Sequence, residues 1–254
     1  MGWMLRTILT GLPLAVLGAA SGVAADEKPV RIETGYNSYG YPGMIDMPVA
    51  HSRPDGELAF SVSDFAGQTR NTLTFQITPR LSGSFRYSRL EDFPVTGGTT
   101  TNFDRSFSLH FRFADETAIR PAFAIGLNDV FGTGIYASEY IVATKTFGER
   151  VRVTGGLGWG RFAGSGGFKN PLSIFGDRFE TRPPRDVGTG GNVESQQFYR
   201  GDAAFFGGVE WQVTDRLRLT AEYSSDSYPR EDPSAFEREN QFNFGATYRI
   251  RPMT

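Results

Sequence analysis

Polar and apolar residues alternate with a period of two through most of the chain beyond residue 55. Such alternation is the mark of strands with one apolar and one polar face. In 216–224, Leu217, Leu219, Ala221 and Tyr223 share one face, with Arg216, Arg218, Thr220, Glu222 and Ser224 opposite. Phe242, Phe244, Ala246, Tyr248 and Ile250 stand against Gln241, Asn243, Gly245, Thr247 and Arg249 in the same way. Phe107, Leu109, Phe111 and Phe113 oppose Ser106, Ser108, His110 and Arg112, and Leu81, Phe85 and Tyr87 oppose Ser82, Ser84, Arg86 and Ser88. Ten strands are predicted, at 56–66, 69–78, 80–91, 103–114, 119–128, 136–147, 150–160, 202–213, 215–225 and 237–250. Most exceed the usual strand of about 5–6 residues. They match the roughly 9–11 residues that cross a bilayer at a tilt.

The connections alternate in length. Pro79-Arg80, Ala114–Ala118, Gly148-Glu149 and Thr214-Asp215 read as tight turns, whereas 92–102, 129–135, 161–201 and 226–236 read as loops. Only the connection at Gly67-Gln68 is short where the alternation wants a loop. Short turns at one end and long loops at the other are the layout of outer-membrane barrels. The pattern therefore predicts an all-β, antiparallel up-and-down transmembrane β-barrel over 56–254, with 161–201 as a long loop that is functional or folds inward as a plug. A soluble β-sandwich alternates too, but with shorter strands and fewer aromatics.

Composition sharpens this picture. The chain has 254 residues, with 31 Gly, 22 Phe, 10 Tyr and 3 Trp. Tyr87, Phe93, Phe103, Tyr136, Tyr140, Phe147, Trp159, Trp211, Tyr223 and Tyr248 fall near predicted strand ends, where amphipathic rings suit a membrane–water interface. Gly126, Gly156, Gly158, Gly208 and Gly245 fall on the polar face, as expected of a crowded interior. Cys is absent and His occurs twice, which excludes thiolate, Fe–S and Cys-based zinc chemistry, disulfides and an acylated N-terminal Cys. A net charge of −2 argues against nucleic acid as a partner. No cofactor or metal is expected.

The first 25 residues read as a Sec-type signal peptide, with Arg6 before an apolar run from Thr7 to Val23 and small residues at Val23-Ala24-Ala25. Residues 26–55 are expected to form a periplasmic N-terminal segment, and His51 within it to be solvated.

Chemistry on the polar face is sparse. His110 shares a face with Ser106, Ser108 and Arg112, so a barrel-embedded lipid or glycan hydrolase pairing His110 with a Ser is one alternative. A hydrogen-bonded interior histidine is the other. Arg86, Arg112, Arg152, Arg216, Arg218 and Arg249 face inward and are expected to pair with Glu139, Glu210 and Glu222, bracing a narrow barrel or lining a path for an anionic polymer. Gly156-Leu157-Gly158-Trp159-Gly160 lacks the spacing of a dinucleotide-binding turn.

Several motifs resemble one family in order along the chain. They are Tyr41–Pro48 (YPGMIDMP, containing Asp46) with Arg53–Glu57 (RPDGE), Pro79-Arg80 followed by Ser84–Tyr87 (SFRY), and Asp104–Phe107 (DRSF). Ala124–Gly134 (AIGLNDVFGTG, containing Asp129 and Gly132), Ser138–Tyr140 (SEY, containing Glu139), Gly156–Arg161 (GLGWGR, containing Trp159), and Phe206–Glu210 (FGGVE) with Glu222-Tyr223 continue it. Together they resemble the YjbH-type exopolysaccharide biosynthesis family over roughly residues 36–250. The resemblance implies an outer-membrane barrel, in a Gram-negative bacterium, that assists production, export or surface assembly of a capsule or other exopolysaccharide. It implies periplasmic and lipoprotein partners, a polysaccharide passenger and no catalytic residues. Family members are usually longer, so the chain corresponds to their N-terminal barrel portion or to a shortened member. A structural or adhesive envelope barrel presenting 161–201 is a third reading.

Overall fold

The computed structural model describes residues 32–95, 97–184, 191–229, 231 and 238–250. The proposed signal peptide lies outside them. Two short pieces, β1 (Gly35–Tyr36) and β2 (Pro42–Gly43), pair with each other within the N-terminal segment. Ten strands then follow as one antiparallel sheet in strict sequence order: β3 (Leu58–Phe65), β4 (Gln68–Gln76), β5 (Leu81–Val95), β6 (Gly98–Ala114), β7 (Ala122–Asn128), β8 (Ser138–Phe147), β9 (Val151–Gly160), β10 (Ala203–Gln212), β11 (Leu217–Tyr223) and β12 (Phe242–Tyr248). Each strand pairs with its neighbour in the chain. Among the described residues β3 and β12 do not pair, so the sheet has two free edges and the ladder is not closed. No described helix is long and apolar enough to cross a membrane.

The ten predicted segments and the ten strands coincide because alternation fixes which residues share a face. One expectation fails. Residues 92–102 are not a loop: β5 and β6 continue upward as a long hairpin, with a register shift between Leu90 and Phe93. Thr and polar residues there carry no apolar face, so the alternation that marks strands lower down is missing. The tight connection at Ala66-Gly67 is real, and both residues take positive φ, 47° and 74°. Ala66 holds a conformation that glycine adopts more readily.

Burial along the strands is inverted relative to a soluble sheet. In β4 the buried positions are Gln68, Arg70, Thr72, Thr74 and Gln76, while Leu73 and Phe75 are 46% and 45% exposed. In β6 Asp104, Ser106, Ser108 and His110 are buried, and Phe103, Phe107, Leu109, Phe111 and Phe113 are exposed. The sheet therefore curls with its polar face inward. The glycines of that face make room for side chains packed over them: a Cβ at Gly126 would overlap the Tyr140 ring, at Gly156 the Phe206 ring and at Gly158 the Phe162 side chain of the turn after β9. The small apolar cluster inside sets Tyr39, Tyr41, Met44, Met47, Val49 and Ala50 of the N-terminal segment against residues of the sheet and its connections, among them Ala122, Ala124, Tyr140, Val142, Phe162 and Phe206.

Candidate functional site

The inner face of the sheet is occupied by residues 32–50, and its polar side chains bind that segment's backbone. At the short-turn end, Arg152 donates to the Ile32 carbonyl at 3.1 Å and Arg218 to the Glu33 carbonyl at 2.7 Å. Glu210 lies between the two guanidinium groups, 3.5 Å from Arg152 and 3.1 Å from Arg218. Midway, Glu222 accepts the amides of Ile45, Asp46 and Met47 at 3.0, 3.1 and 2.9 Å. One carboxylate thus satisfies three turn donors that the segment cannot satisfy itself. Asn243 donates to both Glu222 and Asp46, at 3.1 and 3.4 Å. Tyr228 donates to Asp46 at 2.5 Å and Ser38 also bonds Asp46. Thr72 and Thr74 of β4 donate to the carbonyls of Tyr39 and Gly40, and Thr144 of β8 accepts the Ala50 amide at 2.9 Å.

Towards the long-loop end, three guanidinium groups pack on two phenol rings. Arg70, Arg86 and Arg161 lie 4.6, 5.1 and 5.9 Å from the Tyr39 ring centre, and 5.7, 4.4 and 4.8 Å from that of Tyr136. Asp226 and Glu231 bind Arg161, Glu231 also binds Arg70 at 3.2 Å, and Asp104 stands 3.9 Å from Arg86. Three cations thus face three carboxylates in a space where unpaired charge is costly. The gap among Tyr39, Tyr41, Arg86, Asn128, Tyr136, Ser138, Arg161 and Phe162 has no room for a water molecule. An open cleft of about 200 Å³ at the short-turn end is lined by Arg53, Arg216, Arg218, Arg249 and Glu33 among others. Among the described residues no cluster of His, Asp and Glu could hold a metal ion.

The sequence-predicted residues fall in several places. Arg86, His110, Arg152, Glu210, Arg218 and Glu222 lie buried on the inner face. His110 Nδ1 is 2.9 Å from the Tyr140 hydroxyl, so its partner is a tyrosine rather than a serine. Arg112 sits near the turn rim and bonds the Pro79 carbonyl at 2.9 Å, and Arg249 pairs with Glu33 at 2.7 Å. Asp129 has φ 59° and accepts the Tyr136 amide at 3.0 Å. Gly132 packs so closely that a Cβ would overlap the Asp129 carboxylate, and Gly134 takes φ 91°. Pro48 bridges Gly43 inside the N-terminal segment.

Three expectations are corrected. Glu139 does not join the inner arginines. Its register partners Leu127 and Trp159 belong to the outward-facing set, and Arg182 of the 161–201 loop binds it with two bonds of 2.7 and 2.9 Å. The Tyr199 amide donates to the same carboxylate, and the Tyr199 ring stands edge-on to Trp159 at 5.2 Å. After Arg161 and Phe162, which remain inside, the described part of the long loop therefore lies on the outside of the wall and does not plug it. Second, Tyr136, Tyr140 and Trp159 are fully buried rather than interfacial. Third, His51 is not solvated: its side chain is 14% exposed, with Nε2 2.8 Å from Glu116. Burial, with Arg152 adding to it, pushes the His51 imidazole down from 6.5 to about 4. Burial alone would raise the Glu116 carboxyl, but bonds from Lys145, the Thr146 amide and His51 prevail and hold it at about 2.

Sequence reasoning missed the Tyr39–Tyr136 arginine cluster. Arg70 was visible on the polar face of its strand. The cluster's carboxylates Asp226, on Arg161, and Glu231, on Arg70 and Arg161, come from the connection after β11, which carries no alternation to place them.

Tyr41–Pro48 and Glu222 meet where segment and sheet join, and a family model matches across both. The model described as exopolysaccharide biosynthesis protein YbjH, of the YjbH family, covers residues 35–254. The chain belongs to the YjbH family. It is 31% identical over 245 residues to a protein of Escherichia coli (strain K12) named "Uncharacterized lipoprotein YjbH". That match takes in 94% of this chain and 35% of the relative, so the chain spans about a third of its relative's length. No solved structure matches significantly.

Proposed function

We propose that this YjbH-family chain is a non-enzymatic outer-membrane β-barrel module that assists export or surface assembly of an exopolysaccharide. One observation carries the membrane part: ten consecutive antiparallel strands bury their polar face and expose rows of Phe, Leu, Ile and Val. Only a lipid solvent makes that arrangement favourable. In lipid, free edges are not tolerated, so β3 and β12 pair in the membrane and close the barrel. Both edges already lie against the same segment, since Ser63 of β3 donates to the Ser38 carbonyl and Asn243 of β12 to Asp46. The envelope location is in keeping with the relative's name, and the polysaccharide role with the family's description. Periplasmic and lipoprotein partners, and an anionic or neutral polysaccharide, follow from the same reading.

Among the described residues, residues 32–50 lie across the inner face, and the gap beside Tyr39, Arg86 and Tyr136 has no room for water. The barrel therefore acts as an assembly or docking element, or conducts only after residues 32–50 move. His110 is buried and bonded to Tyr140, which favours a structural role over hydrolysis. Two measurements test the proposal. The protein should fractionate with outer membrane and show heat-modifiable gel mobility; a freely soluble periplasmic protein contradicts the barrel. Deleting the gene should lower secreted polysaccharide; unchanged amount and composition contradict the export role.

A further inference from the structure

The outer face of β4–β6 carries one missing side chain and one cation that pairs with no carboxylate among the described residues. Across the sheet, Phe75, Gly83 and Leu109 are register partners, and Leu73, Phe85 and Phe107 form the next outward row. Gly83 leaves a gap in the first row. An apolar groove of about 310 Å³ follows, lined by Leu73, Phe75, Ile77, Phe85, Phe107 and Leu109 and bounded at one end by Phe131. A Cβ at Gly83 would meet nothing closer than the Ile77 methyl at 3.4 Å, so the gap is open to the outside and close backbone packing does not demand it.

Above the groove, towards the long loops, Arg105 points outward between Phe103 and Phe107 on β6. Its guanidinium lies 5.9 Å from the Tyr87 ring centre, and Tyr87 stacks on Phe103. Among the described residues no carboxylate lies within ion-pair distance of Arg105. Neighbouring Arg89, by contrast, pairs with Glu91 at 3.0 Å. An outward Arg on a lipid-facing wall is unfavourable unless it reaches the interface and meets an anion. Arg105 and Tyr87 are register partners, and Tyr87 is four residues above Gly83. At about 3.3 Å per residue the charge stands roughly 13 Å above the gap.

We propose that this face binds one net-anionic phospholipid of the leaflet on the long-loop side, with its phosphate on Arg105 and an acyl chain in the Gly83 groove. Charge complementarity selects the occupant: a neutral acyl chain alone would leave Arg105 unanswered, and a soluble anion would leave the groove empty. The inference rests on the membrane reading above.

The full chain, purified in a non-ionic detergent, would be titrated with dimyristoyl phosphatidylglycerol or dimyristoyl phosphatidylcholine and examined by native mass spectrometry. The wild type should retain one anionic lipid at least fivefold better than the zwitterionic one. Arg105→Gln should abolish that preference while still retaining lipid. Gly83→Phe, which fills the groove, should reduce retention of both, and Gly83→Ala should change little and serve as the folding control. Equal retention of the two lipids by the wild type, or a preference that survives both Arg105→Gln and Gly83→Phe, overturns the site. Failure of the membrane reading looks different: no detergent association, no heat-modifiable band and no lipid of either kind retained.

Discussion

At the scale of single residues, the informative groups are polar side chains that serve backbone rather than substrate. Glu222 accepts three amides of the segment it faces, and nothing else among the described residues bonds those donors. Glu222→Ala would leave three buried N–H groups without partners, a loss of about 2–3 kcal/mol or more. The expected outcome is a clear fall in the temperature at which the folded gel band disappears, with Glu222→Gln intermediate. His51 makes a pH prediction. An unfolded chain binds a proton near 6.5 but the folded one only near 4, so the buried neutral ring contributes stability that is complete above about 6.5. That contribution is lost as pH falls from 6.5 towards 4. Glu116, held at about 2, adds a second loss only below its ordinary 4.5. Melting midpoints measured between pH 7 and 4.5 should therefore drop for the wild type. They should drop less for His51→Gln, and equal slopes would show that His51 does not control the window.

At the scale of elements, the described part of the long 161–201 connection is fastened to the outside of the wall by an ion pair, by aromatic contacts at Trp159–Tyr199 and Phe168–Phe205, and by a backbone pair between Phe168 and Ala203. Glu139 is 1% exposed and its cation is Arg182. Removing that cation leaves a buried carboxylate without its partner, which is more damaging than losing a surface pair. Arg182→Ala should release the loop, seen as faster proteolysis within 161–201, while the strands keep their heat-modifiable band. Retained protease resistance would mean that the Trp159–Tyr199 and Phe168–Phe205 contacts, with the short 3₁₀ turns at Pro171–Phe175 and Asp177–Phe179, hold the loop without Arg182. The strands themselves were legible because a period of two repeats over many residues. The loop's side of the wall was not, since which face Glu139 occupies depends on register with β7 and β9 and on where a distant Arg182 returns.

At the scale of the whole molecule, the N-terminal segment and the sheet are one folding unit. Residues 32–50 supply six of the sixteen residues of the buried apolar cluster, and the sheet supplies polar groups that neutralise their backbone. In planar bilayers the wild type should therefore show no steady conductance. A variant lacking residues 33–49 should conduct, and where that deletion fails to fold, Tyr39→Ala with Tyr41→Ala should raise the frequency of brief openings. A variant lacking the segment that folds and stays silent would show that the strands alone close the interior.

The sequence by itself determined the all-β class, the number and order of the strands, and the inward side of Arg86, His110, Arg152, Glu210, Arg218 and Glu222. Each of these follows from local alternation, which survives whatever the strands pack against. Only the tertiary structure decided what fills the interior. The N-terminal segment has no periodicity, and its Tyr and Met side chains would suit a surface loop equally well until ten curled strands surround them. The same holds for the arginine cage on Tyr39 and Tyr136, for His51 beside Glu116 and for Glu139 beneath the long loop. These contacts join residues from 25 to more than 180 positions apart. Chain closure over such distances leaves no trace in neighbouring residues, because the partners are selected by curvature and register rather than by local preference.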